Sequence, residues 1–120
     1  MTKGQMEEQI CKAMIRFEKE YMGRGPLEAR SYIIDDMVIL RMKGVLTPAE
    51  NKLASSQEID NGRAQIKQMR RTLIENSRVL LESVLQDILK VNIISMHSDL
   101  STRTGERIII FTLESPPELT

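Results

Sequence analysis

The residues best able to do chemistry are gathered in one polar stretch between two apolar runs, His97-Ser98-Asp99-Leu100-Ser101-Thr102-Arg103-Thr104-Gly105-Glu106-Arg107. It holds the chain's single histidine, two arginines, a glycine and several hydroxyls. Guanidinium forks beside Ser and Thr hydroxyls and exposed backbone amides suit a phosphate, a carboxylate or bicarbonate. The same composition also describes a solvated hairpin loop in which Asp99 pairs with Arg103 or Arg107, an arrangement of little consequence at a surface. His97 and Asp99 lie two apart, so a continuing strand sets both on one face, where a carboxylate can orient an imidazole as a base. No Ser or Cys nucleophile in a supporting context accompanies them, and the catalytic reading is set aside.

Other groups of this kind have simpler uses. Gly23-Arg24-Gly25-Pro26 offers backbone amides and a guanidinium to an anion, yet glycines followed by proline are also the ordinary way to end a helix. Arg63, Lys67, Arg70 and Arg71 are near neighbours on a helix, flanked by Glu58, Asp60 and Glu75, and read as a solvated face. Asp35-Asp36 reads as a turn, because Asp tolerates turn dihedrals and bonds to its own backbone. Cys11, alone in the chain, excludes an internal disulfide and lies among Ile10, Ala13 and Met14 as a buried, inert thiol. One His and no clustered Cys leave too few ligands for a transition metal. No Walker loop, dinucleotide fingerprint or zinc-finger spacing is present, so neither a cofactor nor a metal is expected.

These groups are carried on segments with clear periodicity. Met6, Ile10, Ala13, Met14, Phe17 and Tyr21 make the apolar stripe of a helix over Met6 to Tyr21. Ala29 to Ile34 and Met37 to Met42 form a hairpin, with Val38, Leu40 and Met42 on one side. Thr47-Pro48-Ala49-Glu50 starts a short helix ending near Ser55. The longest helical pattern runs from Glu58 to Lys90, with Ile66, Met69, Leu73, Leu80, Val84 and Ile88 on one face. Ser55-Ser56-Gln57-Glu58 resembles its opening capping box, and Asn61-Gly62 sets a later limit for its start. Such a helix is about 45 Å long, so it bends, breaks or meets a second subunit. Lys90 to Ser98 is the third strand. Glu106 to Glu114, apolar on both faces, is a central fourth strand ended by Ser115-Pro116-Pro117. The fold class is α+β: a helix, a hairpin, one or more helices and a second hairpin. This order predicts a four-stranded antiparallel sheet with helices on one face.

The 120 residues suit one domain, with an ordered core over about residues 5–114 and a flexible tail, 115–120. Two Phe, two Tyr and no Trp leave the core to Ile, Leu, Val and eight Met. Seventeen basic and seventeen acidic residues give no net charge, which argues against tight non-specific nucleic-acid binding. No stretch approaches the roughly 20 apolar residues of a membrane span, and Met1 to Glu8 has no signal-like apolar run. Disulfide-free chemistry fits a reducing, cytoplasmic compartment. The long helix and the Met-rich stripes together predict a homodimer.

Three segments carry a family resemblance. They are Phe17-Glu18-Lys19-Glu20-Tyr21-Met22-Gly23-Arg24-Gly25-Pro26 with Tyr32-Ile33-Ile34-Asp35-Asp36-Met37, then Leu46-Thr47-Pro48-Ala49-Glu50, then His97 to Arg107. Over Glu7 to Leu113 the chain resembles the bacterial MpsC-like (YbcI-like) family, components of a sodium-translocating, membrane-potential-generating system. The resemblance implies a link to membrane systems for cation or inorganic-carbon uptake. With no span, the chain is read as a non-enzymatic cytoplasmic accessory or regulatory protein, peripheral to the membrane through a transporter partner. The alternative is a module that senses a small anion such as bicarbonate or phosphate. The residues expected to carry either role are Arg24, Asp99, Thr102, Arg103, Thr104 and Arg107, through ion pairing and hydrogen bonding.

Overall fold

Thr2 and Gln5 open the first helix as a capping box. The Gln5 N–H donates to Thr2 Oγ1 at 3.2 Å, and the Thr2 N–H donates to Gln5 Oε1 at 2.9 Å. Helix α1 therefore runs Lys3–Tyr21, one turn longer at its start than the apolar stripe suggests. The computed structural model describes residues 1–55 and 61–120. Beyond α1, Gly23 sits at φ 96°, where glycine alone is unstrained, and turns the chain into the sheet.

Strands β1 (Glu28–Ile34) and β2 (Met37–Lys43) form the expected hairpin, with Asp35 at φ 54° in its two-residue turn. Helix α2 (Pro48–Ser55) starts as predicted: the Thr47 N–H donates to Glu50 Oε1 at 3.0 Å, and the Glu50 N–H donates to Thr47 Oγ1 at 3.2 Å. The proposed capping box at Ser55–Glu58 lies largely outside the described residues, as do Glu58 and Asp60.

The long helical pattern is broken. Helices α3 (Gly62–Asn76) and α4 (Arg78–Leu89) meet at Ser77, whose φ of −99° and ψ of 2° interrupt the helix while its N–H still reaches the carbonyls of Leu73 and Ile74. The break changes the buried row. Ile66, Arg70 and Ile74 are buried on α3, and Leu81, Leu85 and Leu89 on α4. Met69, Leu73 and Leu80, expected on the core face, are exposed. The two helices also part company: α4 packs on α1, whereas α3 packs on α2 and on the third strand.

Strand β3 (Ile93–Ser101) pairs with β4 (Glu106–Leu113), and the sheet order is β1-β2-β4-β3, all antiparallel, with β4 central as its two apolar faces require. The polar stretch is not the long loop its composition suggests. Asp99 pairs with Ile108, Leu100 with Arg107 and Ser101 with Glu106, so only residues 102–105 are left as the turn. Leu100 explains this: it falls in register with buried Met96 and is itself buried. One face of the sheet (Ile33, Val38, Leu40, Met42, Ile109, Phe111, Leu113) lies in the core with the helices. The alternate residues point away from it.

Candidate functional site

Three charged residues occupy positions that periodicity assigns to the core. Glu18 continues the row Met6, Ile10, Met14 at four-residue spacing on α1. Arg70 stands between Ile66 and Ile74 on α3, and Arg107 begins the inward row Ile109, Phe111, Leu113 on β4. All three are essentially inaccessible, at 0%, 1% and 2% exposure respectively. They meet beneath the sheet. Glu18 Oε2 lies 3.7 Å from Arg70 Nη1, and Glu18 Oε1 lies 3.7 Å from Arg107 Nε.

Arg70 is further tied to α2. Its Nε donates to Glu50 Oε2 at 2.9 Å, and its Nη2 donates to Glu50 Oε1 at 2.5 Å and to the Val45 carbonyl at 2.9 Å. Glu50 thus serves twice, as the reciprocal member of the α2 capping box and as the two-point acceptor of a buried guanidinium. Arg107 Nη1 donates to Ser98 Oγ at 2.8 Å. Two acids and two bases therefore join α1, the start of α2, α3 and β4 in one neutral cluster.

The central contacts are close but not hydrogen-bonded. Both Glu18 oxygens, Arg70 Nη1 and Arg107 Nε and Nη2 have no hydrogen-bond partner among the described residues. Removing ions from water costs more than attraction at this separation returns. Accordingly, burial raises the Glu18 carboxyl above its ordinary range against the pull of Arg107 and Arg70. Burial likewise lowers Arg107, with Glu18 pulling the other way. Burial also acts to raise Glu50, but the Arg70 hydrogen bonds and the Thr47 N–H together outweigh it and hold Glu50 below the usual carboxylate range.

Beside this cluster lies a recess of about 60 Å³ between α3 and β3. Lys67, Arg71 and Glu75 line it from the helix, Ser98 and Asp99 from β3, and Arg107 from β4. Asp99 Oδ1 is 3.2 Å from Lys67 Nζ and accepts the Leu100 N–H at 2.9 Å. The Leu100 N–H, followed by Lys67, keeps Asp99 below its ordinary pKa.

Of the six residues expected to carry the function, the structure brings Asp99 and Arg107 to this recess and leaves Arg24, Thr102, Arg103 and Thr104 elsewhere. Thr102, Arg103 and Thr104 form the β3–β4 turn, where the Thr104 N–H donates to Ser101 Oγ and Thr104 Oγ1 accepts from the Glu106 N–H. Arg24 Nη2 donates to the Gly44 carbonyl at 3.0 Å, tying the turn after α1 to the end of β2. Arg107 is a buried inward-facing strand residue rather than a loop cation. His97 and Asp99 both point away from the core on β3, but the acid is engaged by Lys67. Cys11 is half-buried, its thiol 3.6 Å from the Ala29 carbonyl.

The basic quartet on the long helix does not act as one solvated face. Arg63 Nε donates to the Ala54 carbonyl, Lys67 and Arg71 line the recess, and Arg70 turns inward. Sequence reasoning gives Glu18 no role, reads Glu50 only as a helix start and places Arg70 on a solvated face, so it misses the cluster they form. Their signal was positional: each charge sits where its own element's spacing calls for an apolar side chain or a cap.

Residues 2–115 match the family model described as Na+-translocating membrane potential-generating system (MpsC). The chain is 40% identical over 112 residues to a Bacillus subtilis (strain 168) protein described as "Uncharacterized protein YbcI", an alignment covering 93% of this chain and 88% of that one. No solved structure matches the chain.

Proposed function

The chain belongs to the MpsC family, and from that premise we propose that it is a non-enzymatic accessory protein of a sodium-translocating, membrane-potential-generating system, acting through protein contacts at the cytoplasmic side. No helix among the described residues is long and apolar enough to cross a membrane, and the proposed contact is made by a protein surface.

The observation that carries this reading is the uncovered face of the sheet. Its registers place Ile34, Met37, Thr112 and Ser95 in one cross-strand row, and Tyr32, Ile39, Ile110 and His97 in the next. Tyr32 is 42% exposed, Ile34 52% and Ile108 37%. Towards one end the face turns charged, with Arg30 bonded to Glu28 and Arg41 to Glu106. An exposed apolar stretch flanked on one side by charged residues suits a docking surface.

The test is crosslinked capture from the native host's membrane fraction, with wild type compared with a folded Ile34→Glu, Ile108→Glu double variant. Recovery of a membrane subunit of the ion-translocating system by wild type, and its loss in the variant, supports the reading. Recovery of no membrane protein by wild type overturns it. Light scattering on the same pair tests the predicted homodimer: a dimeric wild type and a monomeric variant assign the face to a second copy instead.

A second reading, a module that binds a small anion, is favoured by one observation: the recess lined by Lys67, Arg71 and the buried guanidinium of Arg107.

A further inference from the structure

We propose that the recess between α3 and β3 is a binding site for a small inorganic oxyanion, held by Lys67, Arg71, Ser98 and Arg107; this deepens the anion reading and rests on it.

The argument begins with Arg107. The residue is 2% exposed, yet its Nε and Nη2 have no hydrogen-bond partner among the described residues. Glu18 faces Nε at 3.7 Å, beyond hydrogen-bonding reach. Buried donors are nearly always satisfied, and Arg107, which carries these two unpartnered nitrogens, is also one of the residues lining the recess; a guanidinium there is matched by the oxygens of a planar or tetrahedral oxyanion. Ser98, which also lines the recess, accepts from Arg107 Nη1 through Oγ, so its own hydroxyl hydrogen is still available to a ligand.

Charge and size narrow the ligand further. Three bases, Lys67, Arg71 and Arg107, line the recess against two acids, Glu75 and Asp99. Asp99 is already engaged by Lys67 and the Leu100 N–H, and its side chain is 74% exposed, so it sits at the rim. The volume of about 60 Å³ holds roughly four or five water-sized groups. That accommodates a carbonate-, sulfate- or phosphate-sized ion.

The experiment is thermal unfolding of the full chain in increasing inorganic phosphate, sulfate or bicarbonate, at ionic strength held constant with chloride. Three proteins are compared: wild type, a Lys67→Gln, Arg71→Gln variant that leaves buried Arg107 in place, and a Lys12→Gln, Arg16→Gln control on the exposed side of α1. The expected result is a saturable rise in the wild-type midpoint with at least one oxyanion, following binding linkage. The control retains that rise, and the apparent Kd is at least tenfold weaker in the recess variant. A rise of equal size and affinity in the recess variant overturns this site while leaving the anion reading standing elsewhere on the chain. Absence of any rise in wild type overturns both. Equal weakening in the recess variant and the control reduces the effect to general charge and overturns the site.

Discussion

Replacing Arg70 by alanine removes the one side chain that reaches both acids of the buried cluster. Three hydrogen bonds disappear, at 2.9, 2.5 and 2.9 Å, together with the 3.7 Å approach to Glu18. What remains matters more than what is lost. The Val45 carbonyl is left without this donor, Glu50 keeps only its Thr47 contacts, and Glu18 is left with Arg107 alone. Truncating one member of a buried pair typically costs about 3–5 kcal/mol. A domain of this size has a total stability of about 5–15 kcal/mol, so the variant retains little reserve.

Urea unfolding followed by far-ultraviolet circular dichroism at neutral pH measures the change. With a slope of about 2 kcal/mol per molar urea, the midpoint falls by about 2 M. Arg70→Lys keeps the charge but not the two-point fork, and lies between alanine and wild type. Arg41→Ala removes an exposed partner of Glu106 and moves the midpoint far less. A loss below about 1 kcal/mol for Arg70→Ala, the range of a surface pair, refutes the claim that this cluster holds the helices to the sheet.

Two further outcomes follow from other features of the fold. Because burial raises Glu18, the folded chain binds that proton more readily than the unfolded chain, whose ordinary value is 4.5. The stability this group contributes is full below that value and is lost as pH rises through the folded pKa. Glu18→Gln therefore gains on wild type as pH rises from 4.5 towards neutrality in urea titrations, and a pH-independent difference contradicts it. Gly62→Ala places a Cβ 2.5 Å from the Leu53 backbone carbonyl, so it destabilises by about 1–3 kcal/mol through overpacking. A gain near the 1 kcal/mol by which Ala exceeds Gly in helices shows that the close approach is absent.

Element order, both hairpins, the α2 start and the central place of β4 were legible because each has a local cause. Thr47 and Glu50 cap, Asp35 turns, and Val38, Leu40 and Met42 alternate. The end of β3 is misread from composition because polar or small residues surround Leu100 on both sides and outweigh the register that Leu100 shares with Met96. The phase of the long helix was misread for a related reason. Counting apolar residues alone selected Met69, Leu73 and Leu80, whereas the buried row is Ile66, Arg70, Ile74 and, after the break at Ser77, Leu81, Leu85 and Leu89.

In both cases the error came from letting residue type decide which side faces inward. Spacing held where type failed: Glu18 lies four residues after Met14, Arg70 four after Ile66, and Arg107 two before Ile109, and all three are buried. A lone charge at such a position is normally excluded by its desolvation cost. Here three elements each place one, with Glu50 as the fourth charge, so the acids and bases balance only when the elements are assembled. No single segment carries that information. The signal was therefore available as three separate anomalies of register, while their mutual compensation was visible only once the segments had been brought together.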